Sequence, residues 1–301
     1  HPVSYSRDGL NTRLDGVSGT RRIAHLLWLD AIRLVDEGKW DAAVESLQAV
    51  VNTGRSIGDD PMTISQLVRS AIGHLAIDGT QRLLGHGEPT EKSLALLQEL
   101  FWSESGEPQM LRVARGERGM IHWLMSALTS GDLEINAGKK AEKIDPEMAE
   151  ILNGMPAGPA ARKVHAEALR LLTELVAICG KADPDLLDAL PAWEARVKSA
   201  SPGTGKAIPA GSRIAGLFLR YRARMFCAAA AIACERYRIQ HGRWPERLDQ
   251  VVSDFLPEIP IDPFDGEPLR FKRVADGILI YSVGVDRRDD DGKLHARDKP
   301  D

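Results

Sequence analysis

The chain has 301 residues, of which 43% are apolar and 27% charged, and its net charge is −4. That length supports two domains with sizeable cores, and the charge excludes a global basic field of the kind that gathers nucleic acid. Aromatic residues amount to 5%, too few for a platform that stacks sugars or bases.

Residues 1–19 are polar and aperiodic and read as a flexible leader. The chain begins with His1-Pro2 and not with Met. An upstream segment is therefore expected to have been removed or replaced, whether a tag, a signal peptide or a membrane anchor. The most apolar run, residues 225–234, is about half as long as a membrane span requires. Three cysteines are present, Cys179, Cys227 and Cys234. The last two share a face of one predicted helix, too far apart to bond each other. They read as small buried apolar residues, and no pair has metal-ligand spacing.

Helical signal starts at Thr20. Ile23, Leu26, Leu27, Ala31, Leu34 and Val35 recur at helical spacing and predict an inward face, ended by Gly38. The run Gly38-Lys39-Trp40-Asp41-Ala42-Ala43 then opens a second helix. Gly38 turns the chain, Trp40 plugs the gap between the helices, and the small Ala43 permits close approach. This unit resembles a tetratricopeptide-type helical hairpin. The following pair, residues 61–84 and 89–101, has similar lengths without that pattern, so residues 20–200 read as a helical-hairpin array and not as a true repeat protein. In the first of these helices Ile64, Leu67, Val68, Ala71, Ile72 and Leu75 are expected to face inward.

Residues 107–130 form a helix with Gly116 and Gly119 inside it and Arg112, Arg115, Glu117 and Arg118 crowded around them. Each interior glycine costs about 1 kcal/mol relative to alanine. A close helix crossing or a ligand at the backbone is expected to compensate. One reading is a salt-bridge network in which Glu117 meets an arginine of a neighbouring helix. The other is an anion or ligand site built on Arg69, Arg115, Glu117 and Arg118, with His122 one turn on, because arginine suits bidentate anion contacts.

Residues 131–159 are polar and glycine-containing, long for a connector, and are expected to form a mobile excursion with a short helix near residues 146–152. Helices resume at residues 160–179 and 183–198. Residues 201–212 read as a linker. The run Ser201-Pro202-Gly203-Thr204-Gly205-Lys206 is no phosphate loop, since Ala200 and Ala207 occupy positions that need Gly and Ser or Thr. Zinc-helix and nucleophile-elbow motifs are absent, and the histidines are scattered without helical ligand spacing.

Residues 213–301 predict a long helix to Gln240, a break at His241-Gly242-Arg243-Trp244-Pro245, a short helix at residues 246–255, and strands at residues 269–273 and 278–283. Three motifs in this segment keep order and spacing. They are Tyr237-Arg238-Ile239-Gln240-His241-Gly242-Arg243-Trp244-Pro245, then Asp262-Pro263-Phe264-Asp265-Gly266-Glu267-Pro268, then Tyr281-Ser282-Val283-Gly284-Val285-Asp286. Together, over residues 225–292, they resemble the head of the major pseudopilins of type II secretion systems. The resemblance implies an α+β head with an antiparallel β-hairpin on a long helix. It also implies an extracytoplasmic place in a bacterial envelope, and calcium at the loop carrying Asp286, Asp289, Asp290 and Asp291, whose hard oxygens suit that ion. The helix before the head carries Arg213, Arg220, Arg222 and Arg224, unlike the apolar filament stem of a pseudopilin.

The expected fold is therefore mainly α, a helical-hairpin array followed by this small head. The expected role is non-enzymatic binding or assembly with a protein partner, through the concave side of the array and its mobile excursion. An enzyme with an Arg/Glu/His pocket in the helical domain is the alternative. A head that only braces the helices is a third reading.

Overall fold

The computed structural model describes residues 15–130, 158–208 and 211–293. Among them are nine α-helices: α1 Asp15–Asp36, α2 Trp40–Arg55, α3 Thr63–His86, α4 Glu91–Ser105, α5 Gln109–Ser130, α6 Gly158–Ile178, α7 Asp183–Ser199, α8 Pro202–Ala207 and α9 Gly211–His241. A 3-10 turn, Leu248–Val251, and two strands, β1 Arg270–Val274 and β2 Gly277–Tyr281, complete them. The fold is mainly α with a small β-hairpin after a long helix, as the sequence predicts. The short helix expected at residues 246–255 is only the 3-10 turn, and α1 starts at Asp15 inside the expected leader. A six-residue helix, α8, occupies the expected linker. The excursion expected at residues 131–159 lies outside the described residues except for Gly158 and Pro159, which open α6.

The chain divides into two compact units that are not consecutive in sequence. The first comprises the residues up to Gly19, Ile57–Leu67 and Pro108–Ala215, and the second Thr20–Ser56, Val68–Glu107 and Gly216–Asp301. The linear domains expected from the sequence, divided at residues 201–212, group the chain differently.

In the first unit α5 packs along α6, and α6 along α7. Their buried faces carry Val113, Ile121 and Leu124 from α5, Val164, Leu171, Leu172 and Leu175 from α6, and Leu186, Leu190 and Trp193 from α7. Full burial of each large apolar side chain contributes about 1.5–3 kcal/mol. The Trp193 indole N–H would be costly to bury alone. It donates to the Leu171 carbonyl oxygen at 2.8 Å.

The two glycines of α5 have different environments. A Cβ at Gly116 would stand 2.1 Å from the Pro61 carbonyl oxygen, so only glycine lets α5 pass this backbone. A Cβ at Gly119 would meet nothing within 4 Å.

In the second unit Gly38 takes φ +72 at the end of α1, with its N–H donating to the Val35 carbonyl. Trp40 does not fill a gap between α1 and α2 alone. Its ring lies against Gly87, where a Cβ would be 2.3 Å away. Asp41 then accepts from both the N–H and the hydroxyl of Thr90, each at 2.9 Å, and Thr90 caps α4. Helix α1 is rotated from its expected setting. Ala24, Ala31, Leu34 and Val35 are buried, while Ile23, Leu26 and Leu29 are exposed. Helix α3 is rotated too. Ile64 and Ala71 are exposed, and within the second unit Arg69, Ser70, Ile72, Ala76, Ile77 and Thr80 are buried.

The head folds against α9 and α4. Ala230, Ala233, Cys234 and Tyr237 of α9 form a core with Leu248, Val251, Phe255 and Leu256, and Trp102, Trp244, Phe271, Ile278 and Ile280 pack around it. Gly242, at φ +68, ends α9 with its N–H on the Arg238 carbonyl, and the Arg238 guanidinium covers the Trp244 ring at 5.4 Å. β1 and β2 pair antiparallel from Arg270↔Tyr281 to Val274↔Gly277. The three cysteines are free thiols, two of them buried, and burial pushes each thiol up to about 12.

The two glycines make opposite predictions. Gly119→Ala is expected to stabilise the chain by about 1 kcal/mol. Gly116→Ala is expected to destabilise it by about 1–3 kcal/mol, because Pro61 must move. Urea denaturation of both variants checks the pair.

Candidate functional site

The five residues expected at an anion site fall in three settings. Arg69 belongs to the second unit and already has its anions. Its Nε and one terminal nitrogen donate to the two oxygens of Glu104, both at 2.7 Å, and Glu107 lies 3.5 Å away. The Arg69 and Glu104 side chains are only 3% and 2% exposed. Tyr221 of α9 donates its hydroxyl to Glu104 at 3.3 Å. That hydroxyl lies over Gly73, where a Cβ would be 2.1 Å away. His74 lies against the Tyr221 ring, tilted by 56° with centroids 5.3 Å apart, and burial followed by the Arg224 charge pulls its imidazole down to about 4. Bidentate geometry and extra hydrogen bonds are what a buried ion pair needs to offset its desolvation.

The other four residues lie on α5 in the first unit. Arg115, Arg118 and His122 are spaced at three and four residues and share one helical face. Glu117 is on the opposite side. It accepts a hydrogen bond from the Thr63 hydroxyl, and burial raises its carboxyl above the usual range while that hydrogen bond opposes the rise. Among the described residues, Arg115 and Arg118 have no hydrogen-bond or ion-pair partner. The nearby Arg112 pairs with Asp59 at 2.6 Å.

His122 meets a residue that the sequence reading did not single out. Its Nδ1 lies 3.1 Å from Nε2 of His165 on α6, with ring centroids 5.1 Å apart. One ring nitrogen carries the hydrogen and the other accepts it. Desolvation, then the His122 charge, lowers the His165 pKa. Forty-three positions separate the two residues, and their spacing carries no sequence signal. Only the pairing of α5 with α6 brings them together.

In the head, the second and third motifs meet at Asp262. This fully buried carboxylate accepts from the Phe264 N–H at 3.0 Å, the Ser282 hydroxyl at 2.9 Å and the Val283 N–H at 2.8 Å. Its own N–H donates to the Glu267 carbonyl at 2.8 Å, and its carbonyl accepts from Gly266 at 3.0 Å. Gly266 and Gly284, at φ +79 and +78, make the two turns that bring these segments together.

The acidic loop is occupied by contacts of its own. Asp289 accepts from the Tyr281 hydroxyl and the Asp291 N–H, each at 2.9 Å. Asp291 pairs with Lys272 at 2.5 Å, and Asp286 accepts from the Arg288 N–H at 3.2 Å. Among the described residues no group of three or more His, Cys, Asp or Glu side chains is arranged to hold a metal ion.

No protein-family model matches this chain, and no curated protein or solved structure matches it. Among the described residues, no helix is long and apolar enough to cross a membrane.

Two variants test these assignments. Arg69→Ala leaves Glu104 buried without its partner and is expected to cost about 3–5 kcal/mol in denaturant unfolding. Glu117→Gln keeps an acceptor for Thr63 and removes the charge. Because the folded carboxyl titrates above its unfolded range, the ionised form opposes folding as pH rises past that range. Glu117→Gln is therefore expected to raise the melting temperature at pH 7.5 and to lose that gain as pH falls towards 4, where wild-type Glu117 is protonated in both states.

Proposed function

We propose that this chain is a non-enzymatic binding or assembly protein of a bacterial envelope, with a helical scaffold carrying a pseudopilin-like head and a protein as its partner. The observation that carries the binding role is the outer face of α1. Ile23, Leu26 and Leu29 recur every third residue and are 53%, 67% and 46% exposed. Residues at this spacing form one stripe, and Arg21 and Arg22 are exposed beside it. Single exposed apolar residues are ordinary, but a contiguous stripe favours a surface that removes it from water. A partner with an apolar ridge and an acidic flank fits this chemistry.

The head's part in the proposal rests on the three motifs. The Asp262 junction supports treating the second and third as one unit, because each of its bonds uses a motif position. The envelope compartment and the link to type II secretion rest on the motif resemblance. The long helix constrains the role: Arg222 and Arg224 of α9 are held by the Glu107 carbonyl at 3.0 Å and by Asp78 at 2.7 Å. A helix whose arginines are held in this way within the second unit suits a scaffold better than a filament stem.

Site-specific photocrosslinking from position 26 in the native envelope tests the reading. One discrete protein adduct is expected, lost in Ile23→Glu and Leu29→Glu variants whose circular dichroism and melting match the wild type. Absence of an adduct, or an adduct indifferent to both variants, overturns it.

A further inference from the structure

We propose that His122 and His165 form a two-imidazole site for a borderline-soft divalent transition metal, with zinc(II) as the representative ion. The site clips α5 to α6 within the first unit, and it is independent of the binding role of α1.

The geometry is close to what the ion requires. In a tetrahedral zinc site with Zn–N bonds of about 2.0–2.1 Å, two ligating nitrogens stand about 3.3–3.4 Å apart. Nδ1 of His122 and Nε2 of His165 are 3.1 Å apart, so a few tenths of an ångström of separation and a tilt of each ring turn both lone pairs onto the ion. The two nitrogens already face each other across the hydrogen they share. A metal beside the line that joins them replaces that hydrogen, about 2.0–2.1 Å from each nitrogen as in other zinc–imidazole bonds. The donating ring moves its hydrogen to its outer nitrogen through solvent, and each imidazole stays neutral and lends a lone pair. The helices holding the rings pack along each other, so the two ligands are preorganised across 43 positions of sequence.

Solvent access is part of the site. His122 is exposed and His165 is half-buried, which leaves room for water to fill the remaining coordination positions. Gly119, one turn before His122, leaves open space on the same face. The neighbouring charges select the kind of ion. Arg118 is one turn from His122 on α5 and Arg162 one turn from His165 on α6. Cations held mainly by carboxylate charge, such as calcium or magnesium, are disfavoured beside these guanidiniums. Imidazole nitrogen suits zinc, copper and nickel, whose bonds to it do not depend on a net negative site.

Isothermal titration of EDTA-stripped protein with zinc chloride tests the proposal, with the melting temperature read in parallel. One equivalent is expected to bind and to raise the melting temperature, reversibly on adding EDTA. Loss of even a hydrogen-bond partner behind a metal ligand costs roughly 10–100-fold in affinity. His122→Ala and His165→Ala, which remove a ligand outright, are each expected to weaken binding by at least that much while their circular dichroism is unchanged. Gly119→His adds a third imidazole at i, i+3 to His122, where nothing obstructs a Cβ, and is expected to tighten zinc binding by tenfold or more. No zinc-dependent heat or melting shift overturns the site, as does binding unchanged in both alanine variants. Failure of Gly119→His to tighten binding overturns it as well, and that result does not depend on how the alanine variants fold.

Discussion

The second unit is arranged about one buried ion pair. Arg69 comes from α3, Glu104 from α4, and the Tyr221 hydroxyl of α9 completes the contact. Leaving any of these polar groups buried without the others carries a large desolvation cost, so the three helices are held to one mutual setting. Apolar packing alone tolerates sliding and repacking. A bidentate guanidinium–carboxylate pair does not, because both planar groups must meet edge to edge. Gly73 is the steric counterpart: the tyrosine reaches the pair only because no side chain stands in its way.

The same network explains which parts of the fold were legible in the sequence. Helix extents followed from periodicity, caps and glycines, and most ends came out within a turn. Helix orientation was less legible. The apolar pattern of α3 points to Ile64 and Ala71, yet its buried face in the second unit carries Arg69, Ser70 and Thr80, residues that pattern reading assigns to water. A helix that buries a polar network displaces some of its hydrophobic residues to the surface. In α1 the small Ala24 and Ala31 take the inner positions and leave Ile23 and Leu26 outside.

The candidate residues divide along the same line. Glycines inside α5 signalled a close approach, and Gly116 against Pro61 is one. Local charge crowding could not show that Glu117 turns away from Arg115 and Arg118 towards Thr63. The His122–His165 contact was invisible, because a pairing between distant helices leaves no trace in local spacing. In the sequence Asp262 is only one position of a motif. Its role as a junction of five hydrogen bonds becomes plain once the strand end at Ser282 and Val283 is folded back onto it.

The cysteines carry a consequence of their own. Thiolate is the species that attacks a disulfide or an oxidant, and burial holds all three sulfurs in the protonated form at physiological pH. Attack by these sulfurs on a disulfide or an oxidant is therefore slowed while the chain is folded. In an oxidising medium the folded state therefore protects its own thiols, and unfolding is the step that would expose them.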